Sequence, residues 1–113
     1  MTGVQTCALP ILINRKRLEI GAALASDPKL LLLDEVAGGL TNAEVAEILG
    51  IVRTIKNSGV SIIWIEHIIQ TLVDGTDRVM LMAGGKDLLT APPMEVMNSS
   101  IVNEVYMGAD EDE

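Results

Sequence analysis

A chain of 113 residues with 49% hydrophobic content is long enough to bury a core, which excludes an intrinsically disordered polymer. Its formal charge of −8 and eight scattered basic residues argue against a nucleic-acid ligand, because binding a polyanion requires clustered Lys or Arg. The single cysteine, Cys7, rules out an intrachain disulfide and fits a reducing, cytoplasmic setting, and no apolar run approaches the ~20 residues needed to cross a bilayer. The apolar stretch 7–13 has no charged region before it and no small-residue cleavage site after it, so a signal peptide is not expected.

The first expected element is a helix over Arg15 to Ala25, with Leu18, Ala22 and Ala25 on its packing face and Arg15, Lys16 and Arg17 as a solvated start. Asp27-Pro28 stops it. Leu30 to Leu33 is an unbroken apolar run too short for a helix, which predicts a strand covered on both faces. After the loop Ala37-Gly38-Gly39, Thr41 and Glu44 form a capping box, and Val45, Ile48, Leu49, Val52 and Ile55 mark a helix that Gly59 ends. Val60 to Ile65 is a second buried strand, joined to the first by a right-handed parallel crossover. Ile68 to Gly75 suggests a short helix and Arg78 to Met82 a third strand. Gly84-Gly85 turns it into an antiparallel edge over Asp87 to Thr90, and Pro92-Pro93 opens a short helix through Met97. Ser99 or Ser100 caps a last helix to about Met107, and the acids from Asp110 to Glu113 form a solvated end. The order predicts an α/β fold of one domain, with a largely parallel sheet, flanking helices and a C-terminal hairpin.

In such sheets ligands gather at the carboxyl ends of the strands. The first strand ends in Asp34-Glu35 and the second in Glu66-His67. Adjacent carboxylates point to opposite sides, so Asp34 can hold a magnesium ion, a hard cation that favours oxygen, while Glu35 orients or deprotonates an attacking water. The plainer alternative is that the two acids cap the strand and begin a turn. His67 is placed so that a neutral imidazole can reach a terminal phosphate oxygen, against the alternative of a structural histidine; Glu66 is read as a neighbouring polar residue. Gly38 and Gly39 permit positive φ and close backbone approach, which suits a subunit contact and equally an ordinary loop.

The series Leu30-Leu31-Leu32-Leu33-Asp34-Glu35, Ala37-Gly38-Gly39-Leu40-Thr41 and Trp64-Ile65-Glu66-His67 resembles the Walker B, D-loop and switch-histidine motifs of ATP-binding cassette (ABC) ATPases. Arg17 to Pro28 resembles the helix that follows the family's signature motif. The resemblance implies the C-terminal part of a phosphate-loop ATPase domain over residues 14–108, between a non-family segment 1–13 and an acidic tail 109–113. Segment 1–13 reads like translated adapter sequence. The resemblance further implies ATP and Mg2+ as ligands, Glu35 and His67 as catalytic residues and Asp34 as the metal residue. Asn14 stands at the signature glutamine position, and with Gly38 and Gly39 it would face nucleotide. A second ATPase subunit and membrane permease subunits are the implied partners, with the protein peripheral to the membrane on its cytoplasmic side. Ala37 to Glu44 and Ile65 to His67 look most like subunits of branched-chain amino acid importers, with Val36 in place of the usual proline.

No G-x-x-x-x-G-K-[ST] phosphate loop occurs in the chain, and Pro10 to Ile13 replace the signature residues before Asn14. The chain alone is therefore expected to bind ATP weakly or not at all, and to expose apolar sheet and helix surface. The alternatives are a non-transport ABC ATPase and an inert fragment or interaction module.

Overall fold

The computed structural model describes the backbone of residues 2–111 and the side-chain environment of residues 11–105. Its elements are α1 (Thr2–Leu24), β1 (Leu30–Asp34), α2 (Asn42–Asn57), β2 (Ser61–Ile65), α3 (Ile69–Gly75), β3 (Val79–Ala83), β4 (Lys86–Ala91), α4 (Pro93–Met97) and α5 (Ser100–Glu111). No described helix is long and apolar enough to cross a membrane. The chain divides after His67 into two compact units, 1–67 and 68–113.

In the first unit β1 and β2 pair in parallel, from Leu30 opposite Ser61 to Asp34 opposite Ile65. The α2 connection between them begins as its sequence dictates. Thr41 Oγ1 accepts the Glu44 N–H at 3.2 Å and the Glu44 carboxylate accepts the Thr41 N–H at 3.0 Å, so two otherwise orphaned amides at the helix start are satisfied. Ile48, Val52 and Ile55 of α2 are buried with Leu31 and Leu33 of β1, Ile13 and Ile20 of α1, and Val36. Ile48 is fully buried, and burying a side chain of that size is worth about 1.5–3 kcal/mol.

Two expectations about this unit are corrected. The strands are covered on one face only: Leu31 and Leu33 are buried, whereas Leu30, Leu32, Ile63 and Ile65 are about half to two-thirds exposed. An unbroken leucine run carries no alternation and so cannot say which face the chain itself covers. The expected exposure of apolar sheet and helix surface is present on this open face and at Leu18. The packing face of α1 also differs from the sequence reading. Leu18 is 73% exposed and Ala22 and Ala25 lie outward, while Ile13, Ile20 and half-buried Leu24 pack on the core. The helix extends well before Arg15, so Arg15, Lys16 and Arg17 sit within it rather than at its start. Arg17 reaches across to the Glu47 carboxylate of α2.

In the second unit β3 pairs with β4, antiparallel, with an irregularity between Leu81 and Met82; among the described residues it lacks the parallel-sheet pairing that the sequence reading expected. Gly84 and Gly85 both have positive φ, as the tight hairpin turn requires. Leu81, Ala91, Val96 and Val102 form a separate small core. Ser99 Oγ accepts the Ile101 N–H at the start of α5, which continues past the expected Met107. The side chains of the acidic tail 109–113, like those of residues 1–10, lie outside the described residues.

Candidate nucleotide-hydrolysis site

The parallel register brings the carboxyl ends of β1 and β2 side by side, and the ladder continues one residue further, with the Glu35 N–H donating to the Ile65 carbonyl at 2.8 Å. Glu35 then leaves the strand with φ 52°, the left-handed region that a non-glycine residue adopts at a cost. Two groups hold that turn: the Glu35 carbonyl accepts from the Gly38 N–H at 3.3 Å and from Lys16 Nζ at 3.5 Å. The sharp turn sends the Glu35 side chain to His67, the second residue after β2, with Glu35 Oε1 and His67 Nδ1 3.2 Å apart.

An ionised carboxylate can only accept, so this contact needs a proton on Nδ1. A neutral ring would then present Nε2 as an acceptor, and only an imidazolium donates from both nitrogens. With Nδ1 turned to Glu35, Nε2 is the ring nitrogen left to face a phosphate oxygen. Both side chains are more than half exposed, and a pair of this kind contributes about 0–1 kcal/mol to stability, so its significance is orientation.

Asp34 ends β1 on the open side of the sheet, sharing a face with Leu30 and Leu32, while Val36 and Ala37 turn back into the core. Among the described residues no group of three or more His, Cys, Asp or Glu side chains forms a metal cage. Magnesium needs no such cage, since it is commonly held by one or two carboxylates, water and substrate phosphates, and an exposed strand-end aspartate suits that mode.

Gly39 has φ 78°, and a Cβ there would stand 3.1 Å from Leu12 Cδ2, so both backbone and space favour glycine. Gly38 differs from the sequence reading, with no positive φ and only an ordinary 3.5 Å approach of a Cβ to the Glu35 carbonyl. Asn14 is exposed on α1 and accepts from Arg17 Nη1 at 3.3 Å; no hydrogen bond joins it to Asp34, Glu35 or His67 among the described residues. The structure thus brings Glu35 and His67 together with Asp34 alongside, and leaves Asn14 apart. Sequence reasoning missed Lys16, for which no local signal exists, and undervalued Glu66, whose side chain is fully buried.

Parallel strands joined by a crossover helix, with acids and an imidazole at their carboxyl ends, form the edge at which open α/β sheets hold ligands. The chain is 35% identical over 95 residues to the lipopolysaccharide export system ATP-binding protein of Haemophilus influenzae, matching 84% of this chain and 39% of that protein. It is 37% identical over 90 residues to a putative ribose/galactose/methyl galactoside import ATP-binding protein of Burkholderia cenocepacia, matching 80% of this chain and 18% of that one. The crystal structure of the ADP conformation of an ATP-binding cassette of an ABC transporter superposes with TM-score 0.77 and 27% identity, over 82% of this chain and 38% of that one. A nucleotide-free cassette shares the fold at TM-score 0.78 and 24% identity, over 84% of this chain and 39% of its own. No family model matches the chain. In fold and in sequence the chain is similar to part of these ATP-binding proteins and cassettes, and it spans well under half the length of the relatives it matches.

Proposed function

We propose that the chain is the C-terminal, carboxylate-bearing part of the ATP-hydrolysing subunit of an ABC transporter. The observation that carries this reading is the Glu35–His67 contact at the adjoining ends of two parallel strands, with Asp34 one residue before it. Asp34 would hold magnesium together with water and phosphate oxygens, and the bound metal would offset charge on the phosphates. Glu35 orients the attacking water and takes its proton. His67 fixes the Glu35 carboxylate through Nδ1, and contact of Nε2 with a phosphate oxygen requires the doubly protonated ring. Asn14, Gly38 and Gly39 are assigned to the nucleotide-facing surface shared with a second ATPase subunit.

The whole protein would work with membrane permease subunits, on the cytoplasmic side of the membrane, and without nucleic acid. The wording of the motifs at Ala37–Glu44 and Ile65–His67 supports branched-chain amino acid uptake, whereas the relatives described above serve lipopolysaccharide export and sugar import. Transport of labelled leucine, ribose and lipopolysaccharide by the assembled system separates the three cargoes. Because the chain has no phosphate loop, hydrolysis is assigned to the whole protein and only weak ATP binding to this chain. In the whole protein Glu35→Gln should lower kcat by about 100-fold or more and leave nucleotide binding in place, as loss of a general base does. Unchanged turnover removes Glu35 from the mechanism.

A further inference from the structure

Glu66 follows β2 directly and lies next to an exposed histidine, yet its side chain is fully buried. Its Oε2 accepts the Ala37 N–H at 3.3 Å, and its Oε1 stands 3.4 Å from the His67 N–H and 3.9 Å from His67 Nδ1. A carboxylate is expensive to bury unless polar partners replace its water. The partners here are backbone amides of two different segments. Ala37 belongs to the loop that follows Glu35, and at 1% exposure it has little access to water as a substitute acceptor for its N–H. His67 belongs to the segment after β2.

We propose that Glu66 is a positioning residue, whose buried carboxylate clamps the loop after Glu35 to the backbone carrying His67 and so fixes the Glu35–His67 contact. The inference rests on the reading of Glu35 and His67 as a hydrolytic pair. The backbone of Glu35 is already held on one side by Lys16 and Gly38 and at its N–H by Ile65. The Gly38 bond closes the turn over Val36 and Ala37, and the Ala37–Glu66 bond is what ties that turn to the segment after β2. Glutamine can reproduce this role, since its amide oxygen accepts as the carboxylate does; alanine cannot.

The test is amide exchange and 15N spectroscopy of the 113-residue chain carrying Glu66→Ala or Glu66→Gln. In the alanine variant the Ala37 amide should exchange about tenfold faster or more and the His67 resonances should move, while the α2 core amides of Ile48 and Val52 stay within about twofold. In the glutamine variant Ala37 should stay within about threefold of the parent. An unchanged Ala37 amide in the alanine variant, or a glutamine variant that exchanges as fast as alanine, overturns the clamp. Should the alanine variant unfold, with α2 exchanging alongside Ala37, the glutamine variant decides alone: a protected Ala37 supports the clamp, and an exposed one beside a protected α2 overturns it. Neither readout involves nucleotide. A failure of Glu35→Gln to affect turnover would therefore defeat the hydrolytic reading without touching the clamp measurement.

Discussion

Replacing Glu35 by glycine and by alanine separates the backbone of this residue from its carboxylate. At φ 52° an L-residue sits in the left-handed region at a cost of about 1–2 kcal/mol, and glycine avoids that cost while losing about 0.5–1 kcal/mol to its freer unfolded state. Both variants lose the exposed contact to His67, worth about 0–1 kcal/mol, so that loss cancels in the comparison. The glycine variant should therefore be the more stable of the two by about 1 kcal/mol, and within about 1 kcal/mol of the parent. Trp64, the single tryptophan, lies on β2 against the core of the same unit, so its fluorescence reports the unfolding of that unit in urea. With an m-value near the low end, about 1 kcal/mol/M, the midpoints should differ by about 1 M. An alanine variant as stable as glycine would refute a left-handed Glu35. It would also remove the sharp turn that aims the carboxylate at His67. Glycine better tolerated than alanine is the pattern expected where backbone strain serves the site.

The two loop glycines should respond differently. Gly39→Ala meets both a positive φ and a 3.1 Å approach to Leu12 and should cost more than about 1 kcal/mol, whereas Gly38→Ala should change stability by less than about 0.5 kcal/mol, both checked by urea titration. Ile48→Ala empties a fully buried position where α2 meets β1 and α1 and should cost about 2–5 kcal/mol, a large part of the stability of so small a unit, seen as a lower urea midpoint of Trp64 emission.

Features written as short-range chemistry were legible in the sequence. Thr41 and Glu44 announce the start of α2, Gly84-Gly85 announces the hairpin, and two apolar runs ending in Asp34-Glu35 and Glu66-His67 announce the two parallel strands. The rest depends on what each surface meets. The run Gly21 to Ala25 is rich in small residues and has no strong helical phase, so its packing face was assigned to Leu18, Ala22 and Ala25 when the branched Ile13 and Ile20 carry it. A strand sequence does not name its partner, and among the described residues β3 pairs with β4 alone. A positive φ at Glu35 and an ordinary φ at Gly38 invert what residue type suggests. The burial of Glu66 also had no sequence signal, because an acid after an exposed strand end reads as solvated.

The most direct test of the account is a graft. Residues 30–67, which include both strands and the crossover helix, replace the aligned segment of the Haemophilus influenzae lipopolysaccharide export ATP-binding protein, whose own chain supplies the remainder of the domain. ATP hydrolysis by the purified graft should stay within about tenfold of the unmodified protein and fall by a further factor of about 100 or more when Glu35 is changed to Gln. A graft that folds and binds ATP without hydrolysing it, or one that hydrolyses equally well with Gln at position 35, would contradict the assignment of these strand ends as a hydrolytic site.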